Sequence, residues 1–149
     1  MRGLLYVHPS HRVFTFSYEV RDSQNAGQNC IGIERLIVHS SQYDEIYANI
    51  VERTKQLRLG SALSQPQDGF VPTVDCGAMI NHGRFNDLER VLETAENHGA
   101  TIDAGGRRWK HPYLENGAYF SPTVVGNVDP ASELAQRESK HDINLQRHL

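Results

Sequence analysis

The chain has 149 residues, 38 % of them hydrophobic, with 15 Lys and Arg against 18 Asp and Glu for a net charge of −3. That length suits one domain, and an apolar fraction below the usual roughly 45–50 % suits an ordered middle with weaker ends. A slightly acidic chain gives no electrostatic reason to bind nucleic acid or an anionic membrane, and no apolar run approaches the roughly 18–20 residues that span a bilayer. "MRGLLYVHP" lacks a sustained apolar stretch, so no signal peptide is expected, and the expected location is the cytoplasm.

Residues 1–25 mix Val13, Phe14, Phe16 and Tyr18 with polar residues; the partial alternation in "VFTFSYEV" predicts one strand. "CIGIERLIVH", rich in Ile, Leu and Val, predicts a largely buried strand. "SSQYDEIYANIVERTKQLRLG" follows, with Tyr43, Ile46, Tyr47, Ile50, Val51 and Leu57 at helical spacing. Ser41 with Asp44 fits a capping box, Lys55 and Arg58 suit the C-terminal dipole, and Gly60 suits a left-handed cap. Pro66, Asp68-Gly69 and Pro72 mark a loop. A second helix after Asn81 shows Phe85, Leu88, Val91, Leu92 and Ala95 on one face and stops at Gly99. "ATIDAG" is a short strand ending at Gly105-Gly106, and a turn-rich excursion leads to a strand around Tyr119–Val125. The last residues, "RESKHDINLQRHL", predict a weak helix or a disordered polar tail. Strands and helices alternate, which points to an α/β fold with helices packed on a small sheet. The apolar stripes are read as core.

The candidate chemistry sits in "AGQNCIGIER", residues 26–35. A turn at Ala26-Gly27 before a buried strand would put Cys30 at the edge of an element, with its backbone N–H able to hold a developing oxyanion. Gly27 and Gly32 leave room for close approach. From the residues alone two readings of Cys30 stand: a small buried apolar residue, or a nucleophile that must reach the thiolate from an ordinary pKa of ~8.5. A Cys30–Cys76 disulfide and two free thiols are both open, the free thiols fitting a reducing compartment. No metal site is expected, since the one close histidine pair, His8 and His11 in "HPSH", has no Cys or carboxylate beside it.

"GQNCIGIERLIVHSSQYDEIY" resembles the catalytic-cysteine segment of NAD(P)-dependent aldehyde dehydrogenases: Gly-Gln, one variable residue, Cys30, and Arg35 five residues later. "VERTKQLRLGSAL", "DCGAMI", "AENHGATIDAGGRR" and "GAYFSPTVVGNVDP" resemble later motifs of that family in the right order, and "CIGIER" is most like fungal and plant members. The resemblance divides the chain into an unmatched segment 1–23, a partial aldehyde dehydrogenase catalytic domain 24–136 and a polar tail 137–149. It implies oxidation of a small aldehyde to a carboxylic acid with NAD or NADP through a thiohemiacetal and a thioester on Cys30. Cys76 stands where the family usually has Val and is read as a core thiol; Glu34 and Arg35 are read as structural.

The departures from the family shape the rest. In the family the cofactor domain, the oxyanion-hole Asn, the cofactor-binding Lys and the general-base Glu all precede the cysteine, further back than this sequence extends, the Glu by some thirty residues. Ser23 stands at a usually aromatic or aliphatic position. The family's Ala-x-Glu-Glu-(Ile/Leu)-Phe-Gly-Pro-Val is matched by "AQRESKHD" as far as Glu138, the counterpart of the glutamate that binds the nicotinamide ribose; Ser139 and Lys140 replace the next two positions. The expectation is therefore a truncated or wrongly spliced product that does not bind NAD(P) or turn over alone. It would leave sheet edges and apolar faces exposed. The alternative is a non-catalytic α/β module that associates with a full-length homologue.

Overall fold

An apolar run after Glu34 and two amphipathic stretches build the sheet and its covering helices. The structure, a computed structural model, describes residues 4–7, 24–28, 34–61, 63, 73–137 and 142–148. Among them lie strands β1 (Leu4–Val7), β2 (Arg35–His39), β3 (Thr101–Ala104), β4 (Thr123–Gly126) and β5 (Asp142–His148). The helices are α1 (Ser40–Gln56), α2 (Phe85–Asn97) and the short α3 (Glu133–Gln136). The sheet order is β1-β2-β5-β4-β3, parallel throughout except for the antiparallel β3–β4 pair. The strand predicted in "VFTFSYEV" lies outside the described residues.

Helix α1 forms where predicted but is capped differently. β2 runs to His39 and the helix begins at once, so His39 is the N-cap: its Nδ1 accepts from the Ser41 N–H at 3.2 Å. A histidine ring thus does what the Ser41–Asp44 pairing was expected to do, satisfying one of the orphan N–H groups of the first turn. The helix stops at Gln56, because Leu57 turns to extended backbone (φ −66, ψ 127). Gly60 therefore does not cap it, and Arg58 faces Asp75 instead of the helix end, with two guanidinium bonds of 2.7 and 2.9 Å. These bonds hold the Asp75 carboxyl at about 2, well below its ordinary value.

Helix α2 buries the five residues its periodicity predicted, Phe85, Leu88, Val91, Leu92 and Ala95, and the chain turns after it at Gly99 (φ +94). The two helical layers lie on opposite faces of the sheet. Leu36 and Val38 of β2, Val124 of β4 and Ala104 of β3 pack under Tyr43 and Ile50 of α1. Val125, one residue on from Val124 and so on the other face, packs with Phe85, Leu92 and Leu134 of α2 and α3. β4 is consequently buried at every position, whereas β2 is buried only at Leu36 and Val38, with Ile37 half-buried between them. The largely buried strand predicted over residues 30–39 is thus a one-sided strand over its described part.

A bulge in β3 lets four residues serve both layers. Ile102 pairs with Val125 but Ala104 pairs with Val124, so the register shifts at Asp103. Ile102 therefore joins the α2 core while Ala104 joins the α1 core, although residues two apart in a regular strand share a face. Asp103 accepts the Tyr47 hydroxyl proton at 2.7 Å. Burial, with that carboxylate and despite a bond from Thr101, pushes the Tyr47 phenol up to about 12.

The polar end of the chain departs furthest from expectation. Asp142–His148 is neither a weak helix nor a disordered tail but strand β5, paired in parallel with β2 on one side (Leu36↔Leu145) and β4 on the other (Val124↔Ile143). Two flanking strands with unpaired backbone groups supply hydrogen bonds that composition cannot reveal. Leu63 and Ile80, both outside the helices and strands, are 90 % and 84 % exposed. Among the described residues no helix is long and apolar enough to cross a membrane.

Candidate functional site

The two residues the sequence singled out for chemistry, Cys30 and Glu138, both lie outside the described residues, so their approaches are what the structure describes. On the cysteine side, Gln24–Gly27 forms a short 3-10 turn with Asn25 at φ 54, Ala26 at φ 53 and Gly27 at φ 71. Three successive residues lie in the left-handed region, which Gly adopts freely, Asn occasionally and Ala rarely. Buried Ala26 (5 % exposed) packs into the α2-side core with Met79 and Phe85. The Gln28 backbone N–H and its Nε2 both donate to Asn25 O, at 3.1 and 2.9 Å, and its Oε1 accepts from the Ile80 N–H at 3.0 Å. The predicted turn at Ala26-Gly27 is there, and it is left-handed.

On the Glu138 side, α3 is bolted to α2. Arg90 donates to both oxygens of Glu133 at 2.9 and 2.8 Å and to Asp87 at 2.9 Å. Arg137 reaches Asp87 at 2.7 Å and Glu133 at 2.9 Å. Arg90 and Arg137 hold the Glu133 carboxyl at about 2, and Arg137 and then Arg90 hold Asp87 below its ordinary value. These groups are exposed, so the network contributes more to orientation than to stability. Arg35, five residues after Cys30, donates to the Arg137 carbonyl at 2.8 Å. The chain just after the cysteine and the chain just before Glu138 are therefore joined by one bond across 102 residues of sequence. This supports the structural reading of Arg35.

Neither contact was legible beforehand. The Asp87–Arg90 spacing shows in the sequence, but nothing there says that Glu133 and Arg137 come to meet it. Arg137 occupies the first glutamate position of the family motif, which is the one signal that could have drawn notice. Acid should expose the network: Glu133's contribution is present above about 4.5 and is lost as pH falls towards about 2, and Asp87, also held below its ordinary value, acts in the same direction. We expect the thermal midpoint of the wild-type chain to fall more steeply over that window than that of Glu133→Gln. Equal slopes would show that the network carries no pH-dependent stability.

Cys76 is buried (4 % exposed), as expected of a core thiol; its N–H donates to Arg58 O and its carbonyl accepts from Gly60 N–H. Among the described residues no cluster of His, Cys, Asp and Glu could hold a metal ion. The N-terminus of α1, the one long helix that follows a strand directly, is closed by His39 and has no glycine turn through which a pyrophosphate could approach its N–H groups. An open groove of about 520 Å³ beside Gln56, Arg58 and Asp75 is lined by no thiol, hydroxyl or amine.

A sheet sandwiched between helical layers is an α/β fold. The family model described as "Aldehyde dehydrogenase family" matches residues 20–139, and this chain belongs to that family. It is 41 % identical over 117 residues to an aldehyde dehydrogenase-like protein of Saccharomyces cerevisiae, covering 77 % of this chain and 17 % of that one. It is 38 % identical over 116 residues to the D-glyceraldehyde dehydrogenase (NADP(+)) of Thermoplasma acidophilum, 76 % of this chain and 22 % of the relative. Its fold matches betaine aldehyde dehydrogenase from Staphylococcus aureus, solved in complex with NAD+, with a TM-score of 0.79 and 24 % identity over 99 % of this chain and 28 % of that one. The chain thus spans about a fifth of the length of the curated relatives it matches.

Proposed function

We propose that this chain carries the thiol nucleophile of an NAD(P)-dependent aldehyde oxidation, with Cys30 as that nucleophile. The observation that carries the reading is the left-handed turn at Asn25–Gly27, closed by Gln28 inside the matched region immediately before the cysteine. In the overall reaction an aldehyde loses two electrons to NAD(P)+ and leaves as a carboxylate. Cys30's part is to add its thiolate to the carbonyl carbon, the C=O pair becoming an alkoxide that accepts a proton to give a thiohemiacetal, and later to leave as thiolate when water attacks the thioester. Glu138 is proposed, on its motif position, to contact the cofactor ribose. The 149-residue polypeptide alone is proposed not to reduce NAD(P).

The test is acyl transfer, which needs no cofactor: the Cys30 thiolate displaces p-nitrophenolate from p-nitrophenyl acetate, and water then hydrolyses the thioester. The wild-type chain is expected to release p-nitrophenolate above buffer, Cys30→Ala to fall to buffer, and neither to form NAD(P)H with an aldehyde. Equal release by both proteins would assign the nucleophile elsewhere. Robust NAD(P)H formation by the wild type would overturn the proposal that the chain is inactive alone.

A further inference from the structure

We propose that Asn116 is a site of spontaneous deamidation, attacked by the backbone nitrogen of Gly117, and that the isoaspartate it leaves loosens the turn between Leu114 and Ala118. Of the asparagines in the sequence only Asn116 is followed by glycine. The pair lies in a surface turn, and among the described residues no hydrogen bond holds the exposed Asn116 amide. Asn81 and Asn86 differ: the Asn81 Oδ1 accepts from the Gly83 N–H at 2.8 Å, and the Asn86 Oδ1 accepts from Arg108. Packing explains why glycine stands at 117. A Cβ there would lie 2.2 Å from Tyr119 Cε2 and 2.6 Å from its Cδ2. Tyr119 is 3 % exposed, its ring centroid 5.2 Å from that of Trp109 and 5.3 Å from that of His111, so the ring has little room to retreat. The position after Asn116 is thereby kept free of any side chain that would screen its nitrogen.

The reaction needs only water. The Gly117 nitrogen forms a bond to Asn116 Cγ, the bond from Cγ to the side-chain nitrogen breaks, and ammonia leaves with the proton that Gly117 gives up. A succinimide ring remains, and water opens it at either carbonyl. One opening gives aspartate with the backbone path unchanged. The other gives isoaspartate, in which the backbone runs through the former side chain and is longer by one carbon. The Gly117 N–H is held by Leu114 O at 3.2 Å in a surface turn, so local opening frees the nitrogen to approach Cγ. Beyond that bond the chain has no slack. Gly117 O accepts from the Tyr119 N–H at 3.0 Å, and Ala118 O accepts from the Met79 N–H at 2.8 Å. Met79, Ala118 and Phe120 belong to the core beneath α2. A longer backbone at 116 must therefore break the turn or pull Ala118 away from Met79.

Incubation of the full 149-residue chain in mildly alkaline buffer tests this, with peptide mass spectrometry following the mass gain of amide becoming acid at each asparagine. Asn116 is expected to convert about tenfold or more faster than any other asparagine, a barrier difference of about 1.4 kcal/mol. Asn116→Gln should abolish conversion at that position and leave the others unchanged. The isoaspartate form, separated by anion exchange on its added negative charge, is expected to melt below the unmodified chain. Asn116→Asp adds the charge without lengthening the backbone and should melt with the unmodified chain. Conversion at 116 no faster than elsewhere, or conversion that merely tracks the unfolded fraction by circular dichroism, would overturn the site. Equal melting of the isoaspartate form and Asn116→Asp would overturn the loosening of the turn.

Discussion

Phe85→Ala is expected to cost about 3–5 kcal/mol of folding stability, a large share of the roughly 5–15 kcal/mol a domain has. Phe85 is 1 % exposed at the first turn of α2, with its ring 5.4 Å from that of Phe120 and 5.2 Å from that of His82, centroid to centroid. The Arg108 guanidinium lies 5.5 Å over its face, and that arginine is held in place by Glu89 at 2.9 and 2.8 Å. Truncation therefore opens a cavity where α2 meets the 118–120 segment and leaves Arg108 over a void. Urea denaturation measures the loss. Phe85→Leu, which keeps most of the volume, should cost less than about 1.5 kcal/mol. A Phe85→Ala cost below about 1 kcal/mol would contradict the packing of α2 described above.

Gly105→Ala is the second large effect, for a backbone reason. Gly105 has φ +73, and a Cβ there would lie 2.2 Å from Pro122 O and 2.7 Å from Thr123 Oγ1. Neither neighbour can retreat easily. Pro122 O belongs to the backbone entering β4, and Thr123 Oγ1 is held by donating to Ser121 O at 2.7 Å and accepting from Gly106 N–H at 2.9 Å. The left-handed conformation costs alanine about 1–2 kcal/mol and the enforced shift about 1–3 more, so a loss of about 2–5 kcal/mol is expected. Gly99→Ala provides the control, because Gly99 has φ +94 but nothing within 4 Å of its Cβ position. If the two variants lose equal stability, the steric part of the argument is wrong.

Periodicity was informative where one element meets one layer. Helix α2 presents its buried residues at a clean helical spacing, and all five were legible. β5 was not, although Ile143 and Leu145 alternate with polar residues, because seven residues with only two aliphatic side chains form a strand only when a partner waits on each side. The α1 cap was misread for a related reason. Propensity favours Ser over His at an N-cap, but the strand leaves no residue between β2 and the helix, so His39 holds that position by geometry.

The sequence by itself determined the family and its candidate nucleophile, because motifs in fixed order are a property of the chain and need no third dimension. It also determined the two long helices, since an amphipathic repeat is written locally. Only the tertiary structure decided that three residues before Gln28 turn left-handed, that Gln28 reaches Ile80, and that Arg35 reaches Arg137. Those contacts join segments 52 and 102 residues apart. A hydrogen bond between such segments exists only once the sheet has brought them together, and no local pattern of residue types encodes it.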